Sequence, residues 1–136
     1  MTNDTRTSNP ESQIEESPHK GRTGLKRIWN ALFYSLDGLA AAFRHEDAFR
    51  QEVLLAVFLV PAAFFMPASG TGKALMIASV LLVLIVELLN SAVEAAVDRI
   101  SLENHLLAKR AKDIGSAAVF LSLVNVPAVW LLVLFG

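Results

Sequence analysis

Three stretches of this chain, 53–72, 74–86 and 114–135, contain no charged residue. A bilayer core of ~30 Å takes about 20 apolar residues to cross as a helix, and a spanning segment must satisfy its own backbone polar groups. Such runs do not fit a small water-soluble domain of mixed strands and helices. They predict an all-α membrane protein with spans at about 47–66, 73–99 and 112–135. Hydrophobic residues make up 54% of the 136, and the charges are gathered into blocks between the runs.

The flanking segments complete the layout. Residues 1–23 are polar and contain Pro10 and Pro18, a composition that predicts a disordered tail without the apolar run of a secretory signal. His19 stands there without the converging partners that a metal site needs. Residues 24–136 form the membrane domain. Its first part, about 25–44, repeats apolar residues at helical spacing: Leu25, Ile28, Trp29, Leu32, Phe33, Leu36, Leu39, Ala40 and Phe43. Charged and polar residues interrupt them, which predicts an amphipathic helix lying in the membrane interface. Pro61 is expected to kink the first span, and residues 67–72 are turn chemistry that returns the chain. Gly70-Thr71-Gly72-Lys73 lacks the spacing, the following Ser or Thr, and the preceding strand of a phosphate loop.

Basic residues set the orientation. Lys20, Arg22, Lys26, Arg27, Arg44 and Arg50 precede the first span, and Arg99, Lys109, Arg110 and Lys112 separate the second from the third. The first connection offers Lys73 alone, so the amino terminus and the second connection are expected in the cytoplasm. A formal net charge of -1 argues against a nucleic-acid partner, because phosphate contacts need a basic surface. The absence of cysteine excludes disulfides, thiolate metal sites and a cysteine nucleophile.

The second span ends in carboxylates. At about 100° per residue, Glu87, Ser91, Glu94 and Asp98 fall within a stripe roughly 60° wide, with Asn90 beside it. Ionisable groups are costly near hydrocarbon, so their alignment points to a site. Glu46, heading the first span, is expected at the depth of Glu94, and two carboxylates facing a basic interface suit Mg²⁺ that bridges to phosphates. Lys112 and Asp113 could complete a phosphate clamp. Glu87, about two turns deeper, is placed to act as a general base on a hydroxyl held at the membrane surface. The simpler alternative pairs Glu87, Glu94 and Asp98 with Arg99, Lys109 and Arg110 as helix pins in a non-catalytic assembly protein. An ion path is a further alternative, but residues 74–86 offer it only Ser79.

The runs 46–52 (EDAFRQE), 87–99 (ELLNSAVEAAVDR) and 111–119 (AKDIGSAAV) closely resemble the bacterial integral-membrane diacylglycerol kinases, in one register from about Leu25 onward. The resemblance implies a three-span homotrimer with a surface helix in the bacterial inner membrane, its carboxyl terminus periplasmic. It implies transfer of the γ-phosphoryl of MgATP to diacylglycerol, making phosphatidic acid; a related branch phosphorylates undecaprenol. Carried over by position, Glu87 is the catalytic base, Glu46 and Glu94 bind metal, and Asn90 is an accessory polar group. Arg27, Tyr34, Glu46, Glu94, Glu103, Asn104, His105, Lys112 and Asp113 contact ATP. Ala31, Ser35, Ala48, Phe49, Glu52, Glu87, Ser116 and Trp130 contact the lipid. Leu36, Asp37 and Ala40 depart from the residues familiar at those positions.

Overall fold

The computed structural model describes residues 24–100 and 105–136, and within them the chain is helical. The expected tail at 1–23 and the expected nucleotide contacts Glu103 and Asn104 lie outside the described residues. Helix α1 covers Leu25–His45, α2 Asp47–Phe65, α3 Gly70–Ile100 and α4 His105–Phe135. The chain divides into two compact units, one ending at Asp37 and one running from Gly38 to Gly136.

In the first unit, the α1 residues pack little. Trp29 and Phe33, one turn apart, meet edge to face with centroids 5.3 Å apart. Ser35 donates its hydroxyl to the Ala31 carbonyl at 2.9 Å, a back-bond common for serine inside a helix.

In the second unit, α3 packs against both α2 and α4. Helices α2, α3 and α4 are each long and apolar enough to cross a membrane, as the uncharged runs predict. Phe49, Ala56 and Ala63 form the buried stripe of α2, and Met76, Val80 and Val83 that of α3. Large apolar residues such as Leu54, Phe58, Ile85, Leu121 and Leu132 stay exposed, as they would against lipid.

The first connection is shorter than the turn composition suggests. Ser69 caps α3 by accepting the Gly72 N–H at 3.1 Å, so the helix begins at Gly70. Lys73 reaches back to donate to the Phe64 carbonyl at 2.7 Å and caps α2 in turn. A Cβ on Gly72 would press on Val133 of α4 at 2.7 Å, so glycine there lets the helix ends meet. Helix α2 continues through Pro61 and α4 through Pro127, each forgoing one backbone hydrogen bond.

The segment 105–111, left to the second connection by a third span expected at about 112–135, is instead the first two turns of α4. Leu, Ala, Lys and Arg are all strong helix formers, and an exposed helix end tolerates their charges. Helices α3 and α4 run antiparallel, with Gly72 against Val133, Met76 bonded to Trp130, Asn90 against Gly115 and Asp98 paired with Lys112.

Candidate functional site

The carboxylate stripe of α3 continues its buried face. Met76, Val80, Val83 and Glu87 recur at intervals of four, three and four, which keeps them on one side of a 3.6-residue helix. Glu87 is only 4% exposed, so the core stripe ends in a carboxylate. Asn90 and Glu94, at the next intervals of three and four, are half-buried. A buried ionisable group is retained against its desolvation cost only where something compensates it.

Helix α2 supplies the second wall. Glu52 lies on its core stripe beside Phe49, is 7% exposed, and has one oxygen, Oε2, without a hydrogen-bond partner among the described residues. A cavity of about 150 Å³ opens beside it, lined by Leu55, Leu59, Val80, Val83, Leu123, Val126 and Pro127. Glu52 and Glu87 lie within electrostatic reach of each other.

Glu46 sits at the joint between α1 and α2, where one extended residue (φ -110, ψ 111) interrupts the helical backbone. Its N–H donates to the Ala42 carbonyl at 2.9 Å and its carbonyl accepts the Arg50 N–H at 3.3 Å. The Arg50 guanidinium folds back, donating to the Phe43 and Arg44 carbonyls at 3.1 Å each and pairing with Asp47. Arg50 thereby satisfies carbonyls that the end of α1 leaves open and braces the joint that carries Glu46.

Glu94 and Glu46 both lie within electrostatic reach of Glu87. The Asn90 amide donates to Glu94 Oε1 at 3.2 Å. Among the described residues no three carboxylates or histidines come together as a ready metal cage. Glu46, at the joint before α2, and Glu94, on α3, are both half-buried, and carboxylate oxygens are the donor type that Mg²⁺ takes one or two of beside water and phosphate.

On α4, Lys112 pairs with Asp98 at 2.5 Å. His105, Lys112 and Ser116 share one side of the helix, with Asp113 exposed beside them. The expected lipid contacts are dispersed. Ala48 and Ser116 are exposed, Phe49 is buried, and Trp130 donates to the Met76 carbonyl at 3.3 Å. Met76 is eleven residues along α3 from Glu87, roughly 16 Å at helical rise. Arg27, Ala31, Tyr34 and Ser35 are exposed and fall on one side of α1.

Of the helix-pin alternative, Asp98 alone is ion-paired among the described residues, and its partner is Lys112 rather than Arg99, Lys109 or Arg110; Glu87 and Glu94 have no ion pair among them. Two features escaped sequence reasoning. Arg50 had a signal in its spacing, three residues after Asp47 and four after Glu46. Gly115, whose added Cβ would overlap the Asn90 side chain, had none, because a helical glycine reveals its neighbour only in three dimensions.

The sequence profile described as prokaryotic diacylglycerol kinase matches residues 33–134. A diacylglycerol kinase of Pseudomonas aeruginosa is 61% identical over 123 residues, which is 90% of this chain and 100% of that protein. A diacylglycerol kinase of Haemophilus influenzae is 53% identical across 83% of this chain and 96% of its own length. One from Escherichia coli K12 is 46% identical, across 84% and 93% respectively.

Proposed function

This chain belongs to the prokaryotic diacylglycerol kinase family, and we propose from that membership that it transfers the γ-phosphoryl group of ATP to the primary hydroxyl of diacylglycerol, yielding phosphatidic acid. The observation that carries the chemistry is the buried Glu87, at the end of a core stripe and within electrostatic reach of Glu46 and Glu94.

Glu87 accepts the hydroxyl proton as the lipid oxygen bonds to the γ-phosphorus in line with the departing oxygen of ADP. No phosphoenzyme is needed. Glu46 and Glu94 would hold Mg²⁺, which supplies charge neutralisation at the nucleotide phosphates when bound. Asn90 steadies Glu94 through its amide. Lys112, His105 and Asp113 approach the nucleotide from α4, and Lys112 offsets charge that develops on the transferring group. Phe49 and Glu52 border the lipid on the α2 side.

Helix α1 is read as an interfacial helix, its apolar side in the headgroup region and Arg27, Ala31, Tyr34 and Ser35 on the other. The basic residues support an inner-membrane enzyme with its site at the cytoplasmic face, where ATP is available. The resemblance adds a homotrimer.

Transfer of ³²P from ATP to diacylglycerol in detergent micelles, with undecaprenol as a competing acceptor, tests this reading. Labelled phosphatidic acid as the main product is the expected result. Preferred labelling of the polyprenol overturns the choice of substrate, and no labelled lipid with either acceptor overturns the enzyme reading.

A further inference from the structure

Asn90 has two ends, and each is occupied differently. A carboxylate only accepts hydrogen bonds, so the amide must turn its nitrogen to Glu94, and Nδ2 donates to Glu94 Oε1 at 3.2 Å. That leaves Oδ1 facing away, buried and, among the described residues, without a hydrogen-bond partner. It lies in the space at Gly115 of α4 that a Cβ would fill: an added Cβ would overlap Oδ1 and come within 3.2 Å of Cγ.

Glycine in mid-helix is unfavourable relative to alanine, so its presence at this level needs a local reason. Ala111 and Ala118 line the same groove between α3 and α4 and carry their Cβ atoms without such a conflict. The missing Cβ is at the level of the amide.

We propose that Gly115 is a positioning residue for the metal-binding carboxylate: its notch holds the Asn90 amide in the one orientation that steadies Glu94. The proposal rests on the reading of Glu94 as a metal ligand. A methyl group at 115 pushes the amide out of the notch, the bond to Glu94 is lost, and the carboxylate gains rotational freedom. Groups that orient a metal ligand without touching the metal commonly change metal affinity by about 10–100-fold when removed.

The test is Mn²⁺ binding, followed by electron paramagnetic resonance on the full-length protein in detergent micelles with a non-hydrolysable ATP analogue. Gly115→Ala is expected to weaken Mn²⁺ about tenfold in the wild-type background, and less than about twofold in an Asn90→Ala background, where the notch is empty. Unchanged affinity in the single variant, or equal weakening in both backgrounds, overturns the proposal. If G115A does not fold but N90S/G115A does, the conflict is located at Asn90; affinity equal to that of N90S then supports the proposal, and a tenfold difference overturns it. A wild-type protein that binds no Mn²⁺ with nucleotide removes the metal reading, and the role of Gly115 with it.

Discussion

Lys112 of α4 and Asp98 of α3 form an ion pair at 2.5 Å, with side chains 39% and 62% exposed. Exposed pairs contribute little to stability because water screens them and ordering two long side chains is costly. The pair aims the ammonium group more than it holds the helices. Asp98→Asn is therefore expected to leave the thermal midpoint in detergent nearly unchanged and to raise KM for ATP a few-fold. Lys112→Met is expected to lower kcat by about 10²–10³, the usual loss on removing one charge-stabilising group. Steady-state kinetics of both variants checks the contrast.

Glu87→Gln preserves shape in a position only 4% exposed but removes the proton acceptor. Phosphatidic acid formation is expected to fall by about 10²–10⁴. Retention of most of the activity in a folded protein would remove the base assignment.

Glu46→Gln and Glu94→Gln are each expected to shift the Mg²⁺ concentration for half-maximal activity upward by tenfold or more, as loss of a carboxylate ligand would. Chelation of the wild-type protein with EDTA should abolish transfer, and excess Mg²⁺ should restore it. An unchanged Mg²⁺ requirement in both variants rejects the metal role.

Arg50→Lys keeps a positive charge but loses the fork that serves two carbonyls at once. Its expected phenotype resembles a mild Glu46 variant, with a higher Mg²⁺ requirement and an unchanged KM for diacylglycerol. Titration of both substrates distinguishes this outcome from a general loss of active protein.

Met76 is fully buried on the opposite half of α3 from the carboxylates. Met76→Ala is expected to cost about 2–5 kcal/mol of stability, the range for a large-to-small core change. Turnover per folded molecule should stay near wild type. Reversible unfolding in mixed micelles, with activity normalised to folded protein, measures both.

The membrane helices were legible because uncharged length is a one-dimensional property, and so was the alignment of Glu87 with Glu94. The start of α4 was less so: the charges of 105–112 resemble a loop by polarity, while their helix propensity points the other way. The direction of the stripe became clear only from Met76, Val80 and Val83, which show that it faces inward. Contacts that join residues distant along the chain left no trace in periodicity. Asn90 with Gly115 and Trp130 with the Met76 carbonyl are of this kind.

The antiparallel pairings of α3 and α4 also restrict what can move. Trp130 with Met76 and Gly115 with Asn90 work like two pins through two rods, with the exposed Lys112–Asp98 pair in the same register. A slip of α4 by a single residue would shift each pin by about 1.5 Å and rotate it by about 100°, disengaging both together. This pair is thus the stiff strut of the second unit, against which α2 packs along α3.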